Sequence, residues 1–95
     1  MLNQSFILET LKKNTDVLKS MGVKKLGLFG SYARNEPKES SDLDFVVDFN
    51  KKSFDAYMDL KFYLEDTFHK KVDLVIETNI KPRLRNSILG ETIYV

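Results

Sequence analysis

The sequence predicts an α/β fold, a small β-sheet flanked by helices, and three observations carry that expectation. Short β-branched and aromatic runs recur at residues 23–29, 42–49 and 72–76. Segments with apolar residues at three- and four-residue steps lie before and between them. Turn-forming residues separate the two kinds of segment, so helices and strands alternate along one short chain.

From the N-terminus, Ile7, Leu8, Leu11, Leu18 and Met21 fall at helical spacing over residues 5–21, with Ser5 as the expected cap and Gly22 as the expected stop. Asn14 and Thr15 interrupt that apolar stripe. Residues 23–29 read as an apolar strand with Lys24 and Lys25 at its mouth, ending at Gly30, where unusual backbone angles are needed. Residues 31–34 look like the first turn of a helix, and the polar stretch 35–41 is a loop. Residues 42–49 return to strand character.

Ser53 then caps a long helix in which Phe54, Tyr57, Leu60, Leu64 and Phe68 step by three or four, and Lys70 with Lys71 end it. Residues 72–76 form a third strand, Pro82 opens a short helix over 83–89, Gly90 terminates it, and 92–95 close the chain as a strand. There is no internal repeat, low-complexity tract or linker, and 95 residues lead to the expectation of a single domain over 1–95. The order of strands in the sheet does not follow from these patterns.

Two features carry chemistry. Gly30-Ser31 closes the first strand and opens a helical turn, where free backbone N–H groups, a glycine without Cβ and a serine hydroxyl suit a phosphate. Asp42 and Asp44 follow after a ten-residue gap, and strand alternation puts both on one side, roughly 7 Å apart along the backbone. Two parallel carboxylates are a natural seat for Mg²⁺ carrying nucleotide phosphates. Asp73 is the expected third carboxylate, because an ionised side chain inside an apolar strand is costly unless it faces solvent or a metal.

Other polar residues read more blandly. Asp48 shares the parity of the pair but marks the strand's exit, and Glu77 is likewise an end residue. Arg34 is placed either on phosphate or in solvent. His69, the one histidine, belongs to the surface, and Lys81, Arg83 and Arg85 form a solvated basic face.

Composition narrows the remaining classes. Fifteen basic residues against fourteen acidic give a formal charge of +1, too balanced for a general nucleic-acid binder. The absence of cysteine excludes disulfides, thiolate metal sites and a cysteine nucleophile. No Gly-x-Gly-x-x-Gly or Walker-type loop is present. No apolar run reaches the roughly 20 residues that span a bilayer, and no signal-peptide pattern opens the chain, so no membrane contact and a cytoplasmic location are expected.

Gly30-Ser31-Tyr32-Ala33-Arg34, then Ser41-Asp42-Leu43-Asp44-Phe45-Val46-Val47, then Asp73 in a later strand resembles the minimal nucleotidyltransferase group of the DNA polymerase β-like superfamily. The resemblance runs over roughly residues 23–95. It implies a polymerase β-like nucleotidyltransferase fold with a small mixed sheet, and transfer of a nucleoside monophosphate, usually AMP from ATP, to a hydroxyl. It also implies two Mg²⁺ ions on three carboxylates, here Asp42, Asp44 and Asp73, with Gly30, Ser31 and Arg34 on the nucleotide.

Small members of the group are commonly antitoxins that adenylylate a tyrosine of an all-helical HEPN ribonuclease toxin. That resemblance makes such a toxin the expected partner of this chain. Larger members carry a second domain that helps hold base and acceptor, so a partner protein or a second copy is expected to complete the pocket. The alternative is a non-catalytic subunit that neutralises a helical partner by docking alone. A weaker third reading is RNA contact through residues 81–85.

Overall fold

The computed structural model describes residues 2–95. Helix α1 (Gln4–Lys13) and the short α2 (Thr15–Ser20) precede strand β1 (Val23–Phe29), followed by the one-turn helix α3 (Gly30–Ala33) and β2 (Leu43–Phe49). Then come α4 (Phe54–Phe68), β3 (Val72–Ile76), a 3₁₀ turn at Glu77–Asn79, α5 (Pro82–Glu91) and β4 (Ile93–Tyr94). The sheet order is β3-β2-β1-β4, with β1 antiparallel to β2 and β4, and β2 parallel to β3. The sheet is therefore mixed, with helices, as expected.

Several boundaries differ from the sequence reading. The single helix expected over 5–21 is two helices, because Asn14 donates its side-chain amide to the Thr10 carbonyl, 2.7 Å away, and its own N–H reaches Leu11 rather than continuing the ladder. Asparagine side chains compete with helical hydrogen bonds in this way. The N-cap is Asn3, whose Oδ1 accepts from Phe6 N–H at 2.9 Å, and Ser5 lies inside the helix.

Ser53 does cap α4, accepting from Ala56 N–H, but the helix stops one residue before the lysines, at left-handed His69 (φ 53°). Gly90 does not end α5, which runs on to Glu91. Asp42 stands just before β2 rather than inside it.

One face of the sheet is the core. Leu26 and Leu28 of β1, Leu43, Phe45, Val47 and Phe49 of β2, and Val72 and Leu74 of β3 alternate onto it, as a two-residue period requires. Ile7 and Leu11 of α1, Leu18 of α2, and Leu60, Leu64 and Phe68 of α4 cover them, with the Phe45 and Phe68 rings stacked at 6.3 Å. Side chains of α4 also blunt the free edge of β3: Tyr57 donates its hydroxyl to the Leu74 carbonyl (2.6 Å), and the Glu65 carboxylate accepts from Val72 N–H (3.1 Å).

The opposite face is only partly covered, by the 3₁₀ turn and α5. Glu77 anchors that cover: it is 8% exposed, lies 3.3 Å from the Lys25 ammonium, and its main-chain carbonyl accepts from Arg85 at 2.9 Å. Glu77 is thus more than a strand end, and Arg85 is engaged rather than free in a basic face.

Helix α1 also sets α3. The Gln4 amide donates to the carbonyls of Tyr32 (3.2 Å) and Ala33 (2.8 Å), satisfying acceptors that a four-residue helix leaves open. Gln4→Ala is expected to cost about 1–2 kcal/mol by orphaning these part-buried groups. Urea denaturation of the variant against wild type measures it.

Candidate active site

The site lies at the end of the sheet where β1 finishes and β2 and β3 begin. Antiparallel pairing sets Phe29 opposite Asp44, and parallel pairing sets Asp44 opposite Asp73, so these three residues form one row across the partly covered face. Gly30 follows Phe29 directly with φ +75°. A Cβ at Gly30 would lie 2.8 Å from Asp44 Cγ, in hard overlap with that carboxylate, so backbone angle and contact both demand glycine. Sequence reasoning put Gly30 and Asp44 in separate motifs; the register makes them touching neighbours.

Gly30, Ser31, Arg34, Asp42, Asp44 and Glu91 line an open cleft of ≈ 530 Å³. Ser87 and Ile88 of α5 form its far wall. The volume is in the range of small-molecule sites. Asp73 is exposed and stands beside the cleft rather than in its lining. Among the described residues no three carboxylates lie close enough to hold a metal ion as they stand.

The donor set nevertheless fits a divalent cation. Half-buried Asp44 is pushed up to about 6, first by burial and then by the carboxylates of Asp73 and Asp42, against a smaller opposing pull from Arg34. A cation held by Asp42 and Asp44, with Asp73 swung inward, would relieve that crowding.

Arg34 is half exposed at the rim of the cleft. Its guanidinium meets the Glu91 carboxylate at 3.1 Å, and the same carboxylate accepts from Gly30 N–H at 2.6 Å. Glu91 escaped the sequence reading. One signal was available, because an acidic residue in the last turn of a helix opposes the helix dipole and needs a reason outside the helix.

The family model described as "Nucleotidyltransferase domain" matches residues 8–95. The chain belongs to the nucleotidyltransferase domain family. This nucleotidyltransferase is 42% identical over 88 residues to a candidate protein adenylyltransferase of Methanocaldococcus jannaschii, covering 92% of this chain and 95% of that one. It is 41% identical over 75 residues to protein adenylyltransferase MntA of Thermococcus cleftensis, covering 78% of this chain and 76% of the other.

Among solved structures it superposes on a candidate minimal nucleotidyltransferase with TM-score 0.83 and 31% identity, over 97% of this chain and 95% of that one. A structure of tri-AMPylated Shewanella oneidensis HEPN toxin in complex with MNT antitoxin shares the fold, with TM-score 0.65 and 20% identity over 96% of this chain and 70% of the matched one. The nucleotidyltransferase fold is thus common to all of them. Among the described residues no helix is long and apolar enough to cross a membrane.

Two outcomes check this geometry. Gly30→Ala is expected to destabilise the nucleotidyltransferase by about 1–3 kcal/mol, since alanine meets both a left-handed backbone and Asp44; urea denaturation reads it. Asp44 is lifted from the ordinary carboxylate range to about 6, so the stability tied to its neutral form is full at low pH and is lost as pH rises through about 6. In a chelating buffer Asp44→Asn should therefore melt above wild type at about pH 8, with the gap closing toward about pH 4. A calorimetric gap that widens on acidification would contradict the placement of Asp44.

Proposed function

We propose that this nucleotidyltransferase is a Mg²⁺-dependent protein adenylyltransferase that moves AMP from ATP onto a tyrosine of a HEPN ribonuclease toxin, acting in the cytoplasm as that toxin's antitoxin. The observation that carries the reading is the contact between Gly30 and Asp44, which brings the phosphate turn and the acidic strand to one cleft. The names of the curated relatives support protein adenylylation, and the fold shared with the HEPN–MNT complex supports the partner.

In this reading residues 1–95 act as one domain. Gly30 N–H and the Ser31 hydroxyl bind the triphosphate, with Arg34 turned toward it, and Asp42, Asp44 and Asp73 hold two Mg²⁺ ions. When bound, Mg²⁺ neutralises charge on the triphosphate and on the leaving pyrophosphate. In this reading the tyrosine oxygen attacks the α-phosphorus as the bond to pyrophosphate breaks, and Asp73, exposed beside the cleft, serves either as third ligand or as the base that takes the hydroxyl proton. Asp44 must ionise to serve as a ligand, so Mg²⁺ and a proton compete for it, and raising the Mg²⁺ concentration extends activity to lower pH. The cleft is open to one side, and the toxin, or a second copy of this chain, closes it.

The test uses the purified chain, ATP labelled at the α-phosphate, Mg²⁺ and the helical product of the adjacent gene. Label is expected on a tyrosine of that product, with Asp44→Ala lowering the rate by at least about 100-fold. Equal labelling by wild type and Asp44→Ala would defeat the proposal. If Asp42→Asn combined with Asp44→Asn still protects cells fully from the toxin, docking alone is the mechanism.

A further inference from the structure

Glu91 holds two of the donors that face the cleft from the turn over residues 30–34. Its Oε2 accepts from Gly30 N–H at 2.6 Å, and Arg34 Nη1 lies 3.1 Å from Oε2 and 3.2 Å from Oε1. A carboxylate seated on a backbone N–H and a guanidinium satisfies the same donors, with the same charge sign, that a phosphate oxygen takes. Two anions do not share one such cradle.

The carboxylate is also loosely retained. No side chain of helix α5 is fully buried, and besides Glu91 the helix is tied by Arg85 to the carbonyl (2.9 Å) and carboxylate (3.9 Å) of Glu77. The Arg34–Glu91 pair is partly open to water, with side-chain exposures of 48% and 24%. Polar contacts of this kind open at little cost.

We infer that Glu91 is a resident occupant of the nucleotide's phosphate cradle, a competitor carried on α5 that the triphosphate of ATP must displace to bind. The inference rests on the reading of Gly30, Ser31 and Arg34 as the phosphate site. It makes the Glu91 side chain a latch: nucleotide binding releases it from Gly30 and Arg34 while α5 stays tied to the sheet through β4, and whatever draws this carboxylate off the two donors tightens nucleotide binding by the same factor. A residue that merely positioned Arg34 would have the opposite effect when removed.

The experiment is calorimetric titration of ATP with Mg²⁺ into the full chain, without acceptor, for wild type, Glu91→Ala, Glu91→Gln and Glu36→Gln. Glu36 is an exposed carboxylate near α3 whose backbone N–H donates to the Ser31 carbonyl, so its variant controls for loss of charge alone. Glu91→Ala is expected to bind ATP about tenfold more tightly than wild type, as a charged competitor is removed. Glu91→Gln, which keeps an acceptor for Gly30 N–H and carries the test if the alanine variant fails to fold, should gain a smaller factor. Glu36→Gln should change affinity by less than about twofold.

Unchanged or weaker binding by the Glu91 variants, beside measurable binding by wild type, overturns this inference and leaves the phosphate site standing. An equal gain in Glu36→Gln overturns it too. Binding by none of the four proteins overturns both the inference and the site.

Discussion

The pairing of Phe29 with Asp44 across β1 and β2 is the constraint on which the rest of the site depends. Glycine at position 30 supplies the left-handed turn that ends β1, and because Asp44 lies across the ladder, that turn packs directly against a carboxylate. A register slip of one residue would send Asp44 into the core and Phe45 to the site. The core prevents such a slip: Leu43, Phe45 and Val47 are almost fully buried, and moving them to the other face would expose that apolar surface. Stability and chemistry are therefore coupled through one ladder of hydrogen bonds.

The sheet is built unevenly, and the unevenness serves the function. Helices α1, α2 and α4 seal one face with apolar contacts, whereas the other face receives the 3₁₀ turn and α5 through the Glu77 cluster and the Glu91 contacts. Tyr94 joins that cluster, with Lys25 5.4 Å from its ring centroid. Hydrophobic sealing is strong and leaves little freedom, while half-exposed polar contacts are weak and reversible. The first fixes the register that sets Asp44 beside Asp73, and the second holds the cover of the other face through polar contacts.

Electrostatics at the cleft follow from the same placement. Asp44 is raised because it shares a half-buried end of the sheet with Asp73 and Asp42, and Glu91 adds a further negative charge beyond the opposing Arg34. Such crowding is unfavourable by itself and favours anything that brings positive charge. Glu91 itself quiets the two donors, Gly30 N–H and Arg34, that would otherwise face the cleft without a partner.

Local patterns were enough to read the helices and strands, the Ser53 cap, the strand-to-turn position of Gly30 and the acidic character of residues 42, 44 and 73, because alternation, helical stepping and capping chemistry act within a few residues. The same patterns misplaced the first helix break and the end of α5, where Asn14 and Glu91 respond to competing hydrogen bonds rather than to periodicity. Strand order, the Gly30–Asp44 contact, the Lys25–Glu77 pair and the seat of Glu91 on Gly30 join residues 14 to 67 positions apart. No local pattern encodes such distances; they are decided when the core closes and the strands choose their neighbours.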